Sequence, residues 1–335
     1  MLIIPQSQLG TTFVRTHRQW VSIETTARLH MGFIDLNGSL GRRFGSIGLS
    51  LDKPVTRLQV GFSDSYSAAG PGADRALACA REFAAALGLP GAVSIDIQEA
   101  IPEHAGLGSG TQLGLAVGVA MARLYGLELS VRNVAMLTGR GRRSGIGVGA
   151  FEQGGLLVDG GRGEATQVPP ILVRMAFPKN WRILLVLDPV AQGVHGSEEI
   201  QAFGNLPEFP ASQAAHIARL VLMQALPAVA ERNLPVFGEA ISALQQIVGQ
   251  HFAPAQGGGI YISQRVAAAM AWLGKRGVSC LGQSSWGPTG FAVVENEGTA
   301  LQLQAQLRVE QPELQIEVCR ACNRGSLVTE TMDTV

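Results

Sequence analysis

The sequence predicts an α+β protein of two domains, and three observations carry that expectation. At 335 residues the chain exceeds one typical domain, while a 46 % hydrophobic, 16 % charged composition supplies a sizeable core. A strand, a glycine-rich loop and an apolar helix follow one another over residues 93–124. The second half runs helix, strand, strand, helix, strand, the order of a split β-α-β sandwich.

The elements read as follows. Val93, Ile95 and Ile97 alternate with Ser94, Asp96 and Gln98, the pattern of a half-buried strand. The loop Glu99–Gly110 comes next, and from Thr111 the residues Leu113, Val117, Ala120, Met121 and Leu124 recur at helical spacing. Gly114 and Gly118 leave room for another element to pack against that helix. A second glycine cluster fills residues 139–161, and Ile183–Leu187 then reads as a buried strand opening a new unit. Pro169, Pro170 and Pro178 lie between, which divides the chain into 1–175 and 176–335. Helical patterns follow at about 214–230, 235–249 and 263–276, the last with Ser263 as N-cap and Gly277 as stop. The strand-like VSCLG and FAVVE, a helix over 298–308, and the alternation of Leu314, Ile316 and Val318 complete the chain.

Composition narrows the function. With 26 basic and 26 acidic side chains the formal net charge is zero, which argues against nucleic acid or an acidic membrane as partner. The first ten residues, MLIIPQSQLG, lack the charged head and apolar stretch of a signal peptide, and no window is long and apolar enough to span a membrane. Cytoplasm is therefore the expected compartment. Four cysteines make no disulfide scaffold, and the single pair Cys319–Cys322 reads as two reduced thiols without a second pair to complete a zinc site.

The loop PEHAGLGSGTQ (102–112) carries the strongest chemical signal. A helix N-terminus leaves unpaired N–H groups and a partial positive charge, so it attracts phosphate. Gly106, Gly108 and Gly110 expose that backbone, and Ser109 and Thr111 add hydroxyls. No GK[ST] follows, so it is not a Walker A loop, and Leu113 breaks GxGxxG. The loop resembles the second motif of the GHMP small-molecule kinases, and GQSSWGPTGFAVV (282–294) stands where those proteins place a second glycine loop between two strands. The resemblance implies an N-terminal domain like ribosomal protein S5 domain 2 and a ferredoxin-like C-terminal domain.

Many of those kinases carry an acid in an SGxD-like segment to orient or deprotonate the acceptor hydroxyl. Here Ser144-Gly145-Ile146 is followed by Gly147, which cannot accept a proton, and Glu152 lies five residues on. Gly145-x-Gly147-x-x-Ala150 matches a dinucleotide fingerprint nominally but follows an arginine run rather than a strand. Those arginines, Arg140, Arg142 and Arg143, form either a solvated basic face or an anion site.

A fourth segment, TARLHMGFIDLNGSLGRRFGSIGLSLDKP (26–54), concentrates Arg28, His30, Asp35, Asn37, Arg42 and Arg43 among glycines. Together the four segments resemble the β-ribofuranosylaminobenzene 5′-phosphate synthases, a branch of the GHMP superfamily. That resemblance implies condensation of 5-phosphoribosyl 1-pyrophosphate with 4-aminobenzoate or 4-hydroxybenzoate, with loss of pyrophosphate and CO₂, in methanopterin biosynthesis. It implies a homodimer, no consumption of ATP, and Mg²⁺ demanded by pyrophosphate chemistry rather than by any ligand motif.

Set against that reaction, Gly106–Thr111 is the expected seat of pyrophosphate, and Arg42, Arg140, Arg142 or Arg143 that of the 5′-phosphate. Asp35 or Glu103 is placed to stabilise a developing oxocarbenium ion. Arg28 with His30 is expected to orient the arylcarboxylate, and His30 or His104 to move a proton. Asn37, Gln283, Ser284 and Ser285 offer hydrogen bonds, and Trp286 either stacks on the aromatic acid or belongs to the core. Two rivals use the same loop. One is an ATP-dependent kinase, distinguished by an acceptor-site acid; the other is a non-catalytic phosphometabolite sensor, in which the polar cluster at 28–43 would be dispensable.

Overall fold

The computed structural model describes residues 18–191, 193 and 206–332. The N-terminal decapeptide on which the leader-sequence expectation rests lies outside them.

The fold is built on two sheets. The first opens with two long strands, β1 (Arg18–Asp35) and β2 (Phe44–Ser63), paired antiparallel through most of their length. After the short β3 (Ser67–Ala69) come α1 (Ala73–Leu87), β4 (Ala92–Glu99), α2 (Ser109–Leu124), α3 (Val131–Leu137), α4 (Ile146–Glu152), β5 (Leu156–Asp159) and β6 (Ile171–Met175). β4 pairs with the far half of β2, and β5 pairs with its near half. α2 is buried over almost its whole surface, because it lies between the sheet and α1, α3 and α4. That is why its sequence is apolar nearly all round.

β7 (Arg182–Leu187), fully buried, starts the second sheet. α5 (Ala211–Leu220) runs through a π-turn into α6 (Leu226–Ala230), followed by α7 (Leu234–Phe252), α8 (Gln264–Gly274), β8 (Cys280–Gln283), β9 (Gly290–Val294), α9 (Glu297–Glu310) and β10 (Gln315–Cys319). The strand order β10-β7-β9-β8, all antiparallel, is that of a ferredoxin-like sandwich. Ser263 caps α8 by accepting from the Val266 N–H at 3.1 Å, and Gly277 takes the left-handed conformation just beyond it.

The structure departs from the sequence reading in two places. β1 and β2, which account for the polar segment 26–54, have bulges and mixed burial that hide a period of two. The last strand, β11 (Leu327–Met332), returns to pair with β1, so the tail assigned to 176–335 closes the first sheet instead. A single core passes between the halves, with β1 residues Leu29 and Met31 sharing a cluster with Ile183, Phe237 and Phe291.

Candidate active site

The site forms where the two glycine loops meet on β1. Gly106 and Gly108 both have left-handed backbone, φ 77° and 87°. A Cβ on Gly106 would lie 2.3 Å from the Ser284 carbonyl oxygen and 2.8 Å from Gly287 Cα, so only glycine admits this backbone-to-backbone approach. Arg28 Nη1 and Ser284 Oγ both donate to the Gly106 carbonyl, at 2.6 and 2.8 Å. Ser284 Oγ also accepts from the His30 N–H, and the Ser285 N–H donates to the His30 carbonyl. One strand of the first sheet is thus stitched to both loops.

Behind the loop, α2 begins at Ser109 with Gly108 as N-cap and no side chain capping it. Its end faces a ring of guanidinium groups. Arg28 lies against Gly108, Arg75 and Arg140 against Gly110, and Arg140 again against Gly114. Arg75 Nη1 is 2.5 Å from Glu103, which His104 also approaches at 3.9 Å. Arg28, Glu103, Gly106, Gly108, Ser109, Gly110, Thr111 and Arg140 are therefore neighbours, a donor-rich seat for an anion.

Other residues named from sequence have structural duties. The Asp35 carboxylate accepts from the Asn37 and Gly38 N–H groups at 2.8 and 2.9 Å, closing the turn after β1. Asn37 is held by Glu208 and the Phe209 carbonyl. Arg42, exposed, donates to the Gly160 and Gly161 carbonyls. Arg142 is exposed beside Gly139. Gln283 is spent on the Ile262 N–H, Gln256 and the Ser285 carbonyl.

Asp35, Asn37, Arg42 and Gln283 all hydrogen-bond within the protein, Asp35 doing so because a short polar side chain in a turn satisfies nearby backbone. Trp286 is buried edge-on to Phe252, with ring centroids 4.7 Å apart.

His30 is 4 % exposed. Burial, reinforced by the positive charge of Arg28 and Arg143, lowers its pKa to about 3, so the imidazole is neutral. Its Nε2 lies 3.0 Å from Ser46 Oγ, and Ser46 stands opposite Asp159 in the β2–β5 ladder. Asp159, 1 % exposed, accepts from Ser144 Oγ and from the Gly145 and Gly161 N–H groups; burial raises its pKa against those donors. A neutral imidazole gives Arg28 no charge with which to share a carboxylate.

Gly147, at the place of the kinase acid, packs on Thr111. A Cβ there would lie 2.9 Å from Thr111 Cγ2, while the Gly147 carbonyl accepts from Gln112 Nε2 at 2.8 Å. Glu152 is exposed at the end of α4 and does not replace it.

Sequence reasoning passed over Arg75, Ser46 and Asp159. Arg75 sits in the first turn of α1, which no motif connects to the loop. Ser46 and Asp159 face each other across the β2–β5 ladder, a pairing visible only once register is known. The four cysteines are free and buried, and among the described residues no group of three or more His, Cys, Asp or Glu could hold a metal ion. No helix among them is long and apolar enough to cross a membrane.

This fold, with its glycine loop capping a buried helix, defines the GHMP kinase superfamily. The family models for the GHMP kinase N-terminal and C-terminal domains match residues 74–155 and 225–312. Solved structures agree on the fold: homoserine kinase from Cytophaga hutchinsonii superposes with a TM-score of 0.66 at 13 % identity, covering 95 % of this chain and all of that one. Mevalonate diphosphate decarboxylase from Staphylococcus aureus gives 0.65 at 16 %, covering 93 % and 98 %.

Within the superfamily, the chain belongs to the β-ribofuranosylphenol 5′-phosphate synthase family. The member from Archaeoglobus fulgidus is 33 % identical over 319 residues, 90 % of this chain and 97 % of the relative. That from Methanocaldococcus jannaschii is 37 % identical over 255 residues, 67 % and 76 % respectively.

Proposed function

We propose that the chain condenses 5-phosphoribosyl 1-pyrophosphate with a para-substituted benzoate, releasing pyrophosphate and CO₂, in methanopterin biosynthesis. The relatives are named for a ribofuranosyl phenol phosphate, which favours 4-hydroxybenzoate over 4-aminobenzoate as the arene. The observation that carries the reading is the ring of Arg28, Arg75 and Arg140 around a helix N-terminus whose neighbouring acid position is filled by Gly147. Such a site can neutralise a departing pyrophosphate, and no carboxylate stands at Gly147 to take a proton from an alcohol acceptor.

The ring carbon bearing the carboxylate attacks ribose C1 as the C1–O bond breaks, its electron pair leaving with pyrophosphate. The C–CO₂⁻ bond then breaks, its pair restoring the aromatic ring. Pyrophosphate occupies Gly106–Thr111 between Arg75 and Arg140. Arg28 holds the carboxylate, and must release it as neutral CO₂, so its grip is strongest before the second step. A Mg²⁺ ion arriving with pyrophosphate would be held by Glu103, paired with Arg75 at 2.5 Å, as its one carboxylate, with substrate oxygens and water completing its shell. Bound there it supplies charge to the leaving group.

The test is to incubate the protein with Mg²⁺, phosphoribosyl pyrophosphate and carboxyl-labelled 4-hydroxybenzoate, without ATP, and count CO₂. Equimolar CO₂ and pyrophosphate are expected. If neither this benzoate nor 4-aminobenzoate releases CO₂, the reading fails and ATP-dependent phosphorylation becomes the reaction to test.

A further inference from the structure

We propose that Glu103 is a stand-in for the substrate's pyrophosphate: it holds Arg75 in the protein as folded, surrenders it to the incoming anion, and, once released, is the carboxylate that takes Mg²⁺. The inference rests on the pyrophosphate seat proposed above and adds to it an exchange of partners that couples anion binding to metal binding.

Arg75 is shared between two neighbours. Its Nη1 is 2.5 Å from Glu103 Oε1. Its Nη2 stands over the first turn of α2, 2.7 Å from where a Cβ on Gly110 would lie. One guanidinium thus has one nitrogen on a carboxylate and another over the loop that seats the anion. The nitrogens of that planar group are fixed relative to each other, so what binds one decides where the other can point.

Glu103 is kept at the rim of the seat by more than Arg75. Its Oε1 is 3.5 Å from the Cβ position of Gly72, the left-handed residue that opens α1 with no side chain capping it. The start of a helix favours a carboxylate. Its other oxygen, Oε2, is 3.9 Å from His104 Nε2.

The hold is nevertheless weak enough to break. The Arg75 and Glu103 side chains are 38 % and 41 % exposed, and an ion pair that open to water contributes little. A phosphate carrying several charges makes a stronger bond to arginine. Two anions on neighbouring nitrogens of one guanidinium also repel each other at short range. Pyrophosphate on the glycine loop therefore displaces the carboxylate instead of sharing Arg75 with it.

Arg140 shows that the seat calls for an anion beyond Glu103. Its Nη1 is 3.6 Å from the same Gly110 Cβ position, so two guanidinium groups crowd one glycine. Its Nε is buried and has no hydrogen-bond partner among the described residues. A buried donor in that state costs free energy until something accepts from it.

The exchange gives Glu103 opposite effects in two media. Without metal it competes for Arg75 and repels the ligand, so it weakens pyrophosphate binding. With Mg²⁺ present the freed carboxylate has a new partner, so it strengthens binding. By linkage the anion raises the affinity for metal by the same factor.

The experiment titrates inorganic pyrophosphate into wild type and Glu103→Gln by calorimetry, in EDTA and in Mg²⁺, with Tm and circular dichroism confirming the fold. In EDTA the variant is expected to bind about tenfold tighter than wild type, the size of one relieved like-charge contact. Mg²⁺ should tighten wild type about tenfold more than the variant. The metal's own affinity for pyrophosphate in solution is common to both proteins and cancels in that comparison. Arg75→Gln is the second variant: it should weaken binding in EDTA about tenfold, and adding Glu103→Gln to it should recover little. Equal weakening of Glu103→Gln in both media, as a merely structural role would give, overturns the proposal, and so do unchanged affinities. Absence of pyrophosphate binding to wild type in either medium overturns the seat and the exchange together. The expected pattern without CO₂ release in the turnover assay counts against the reaction and leaves the exchange standing.

Discussion

Replacing Gly106 by alanine tests the idea that the active site is made by two loops in backbone contact. The perturbation has two separable parts. A non-glycine residue held at φ 77° costs about 1–2 kcal/mol from the left-handed conformation itself. The added Cβ, 2.3 Å from the Ser284 carbonyl oxygen, forces one loop off the other, an overpacking cost of about 1–3 kcal/mol. Together roughly 2–5 kcal/mol is expected, a fall in Tm of several degrees for a protein of this size. The same displacement moves the carbonyl on which Arg28 and Ser284 converge. A shift near 1 Å should lower kcat/KM for phosphoribosyl pyrophosphate by about 100-fold.

Gly88→Ala is the control. Gly88 has φ 63°, and nothing lies within 4 Å of the position its Cβ would take, so it carries the strain without the collision. Thermal unfolding followed by circular dichroism and CO₂ release at varied substrate would separate the two parts. If Gly106→Ala and Gly88→Ala lose the same Tm and both keep wild-type kcat/KM, the loop contact does not organise the site.

Four further outcomes are expected. Arg28→Ala should lower kcat/KM for the benzoate by about 100- to 1000-fold in the CO₂ assay, and Arg28→Lys should recover little because a point charge cannot make the same fork. Gly147→Asp should not create a kinase: the side chain meets Thr111, so ATP turnover stays absent by coupled assay and unfolding stability falls by an overpacking cost of about 1–3 kcal/mol, read as a lower Tm. Arg75→Ala should raise the KM for phosphoribosyl pyrophosphate at least tenfold, since it loosens both Glu103 and the ring at Gly110. His30 should impose a pH dependence on stability: the unfolded chain takes up a proton near pH 6.5 that the folded chain refuses until about 3, so stability falls as pH drops through that window. The slope is up to about 1.4 kcal/mol per pH unit, and denaturant titrations of His30→Leu between pH 6.5 and 4 should be flatter than wild type by that amount.

The fold was legible where local pattern decides it. The β4–loop–α2 unit, the strand opening at residue 182, the Ser263 cap and the order of the last elements follow from alternation, helical spacing and capping chemistry. The long hairpin β1–β2 did not declare itself, because its two bulges interrupt the period of two and its polar residues face loops rather than water. The return of β11 to β1 is a contact across more than the whole second half, and no local pattern encodes it. The same division runs through the site. The glycine loop and Arg28 stand in dense motifs. Arg75 and Asp159 do not, being brought in by the packing of α1 and by strand register. Asp35 and Arg42 stand out in sequence for their place among glycines, and each hydrogen-bonds the backbone of a nearby turn.

Gly147 ties three elements of this scaffold together beside the glycine loop. In the chain as folded, the carbonyl of Gly147 is bound by Gln112, and Gln112 in turn accepts from Thr25 on β1. Three elements, α4, α2 and β1, are therefore locked together at the point where an acceptor-activating acid would stand. A side chain added there meets Thr111, at the start of α2, before it reaches anything else. His30 lies further along β1, its ring 3.0 Å from Ser46 Oγ and its N–H tied through Ser284 to the glycine loop. The scaffold of the superfamily is thus kept while the position after Ser144-Gly145-Ile146 carries no acid and packs on Thr111 of the glycine loop instead.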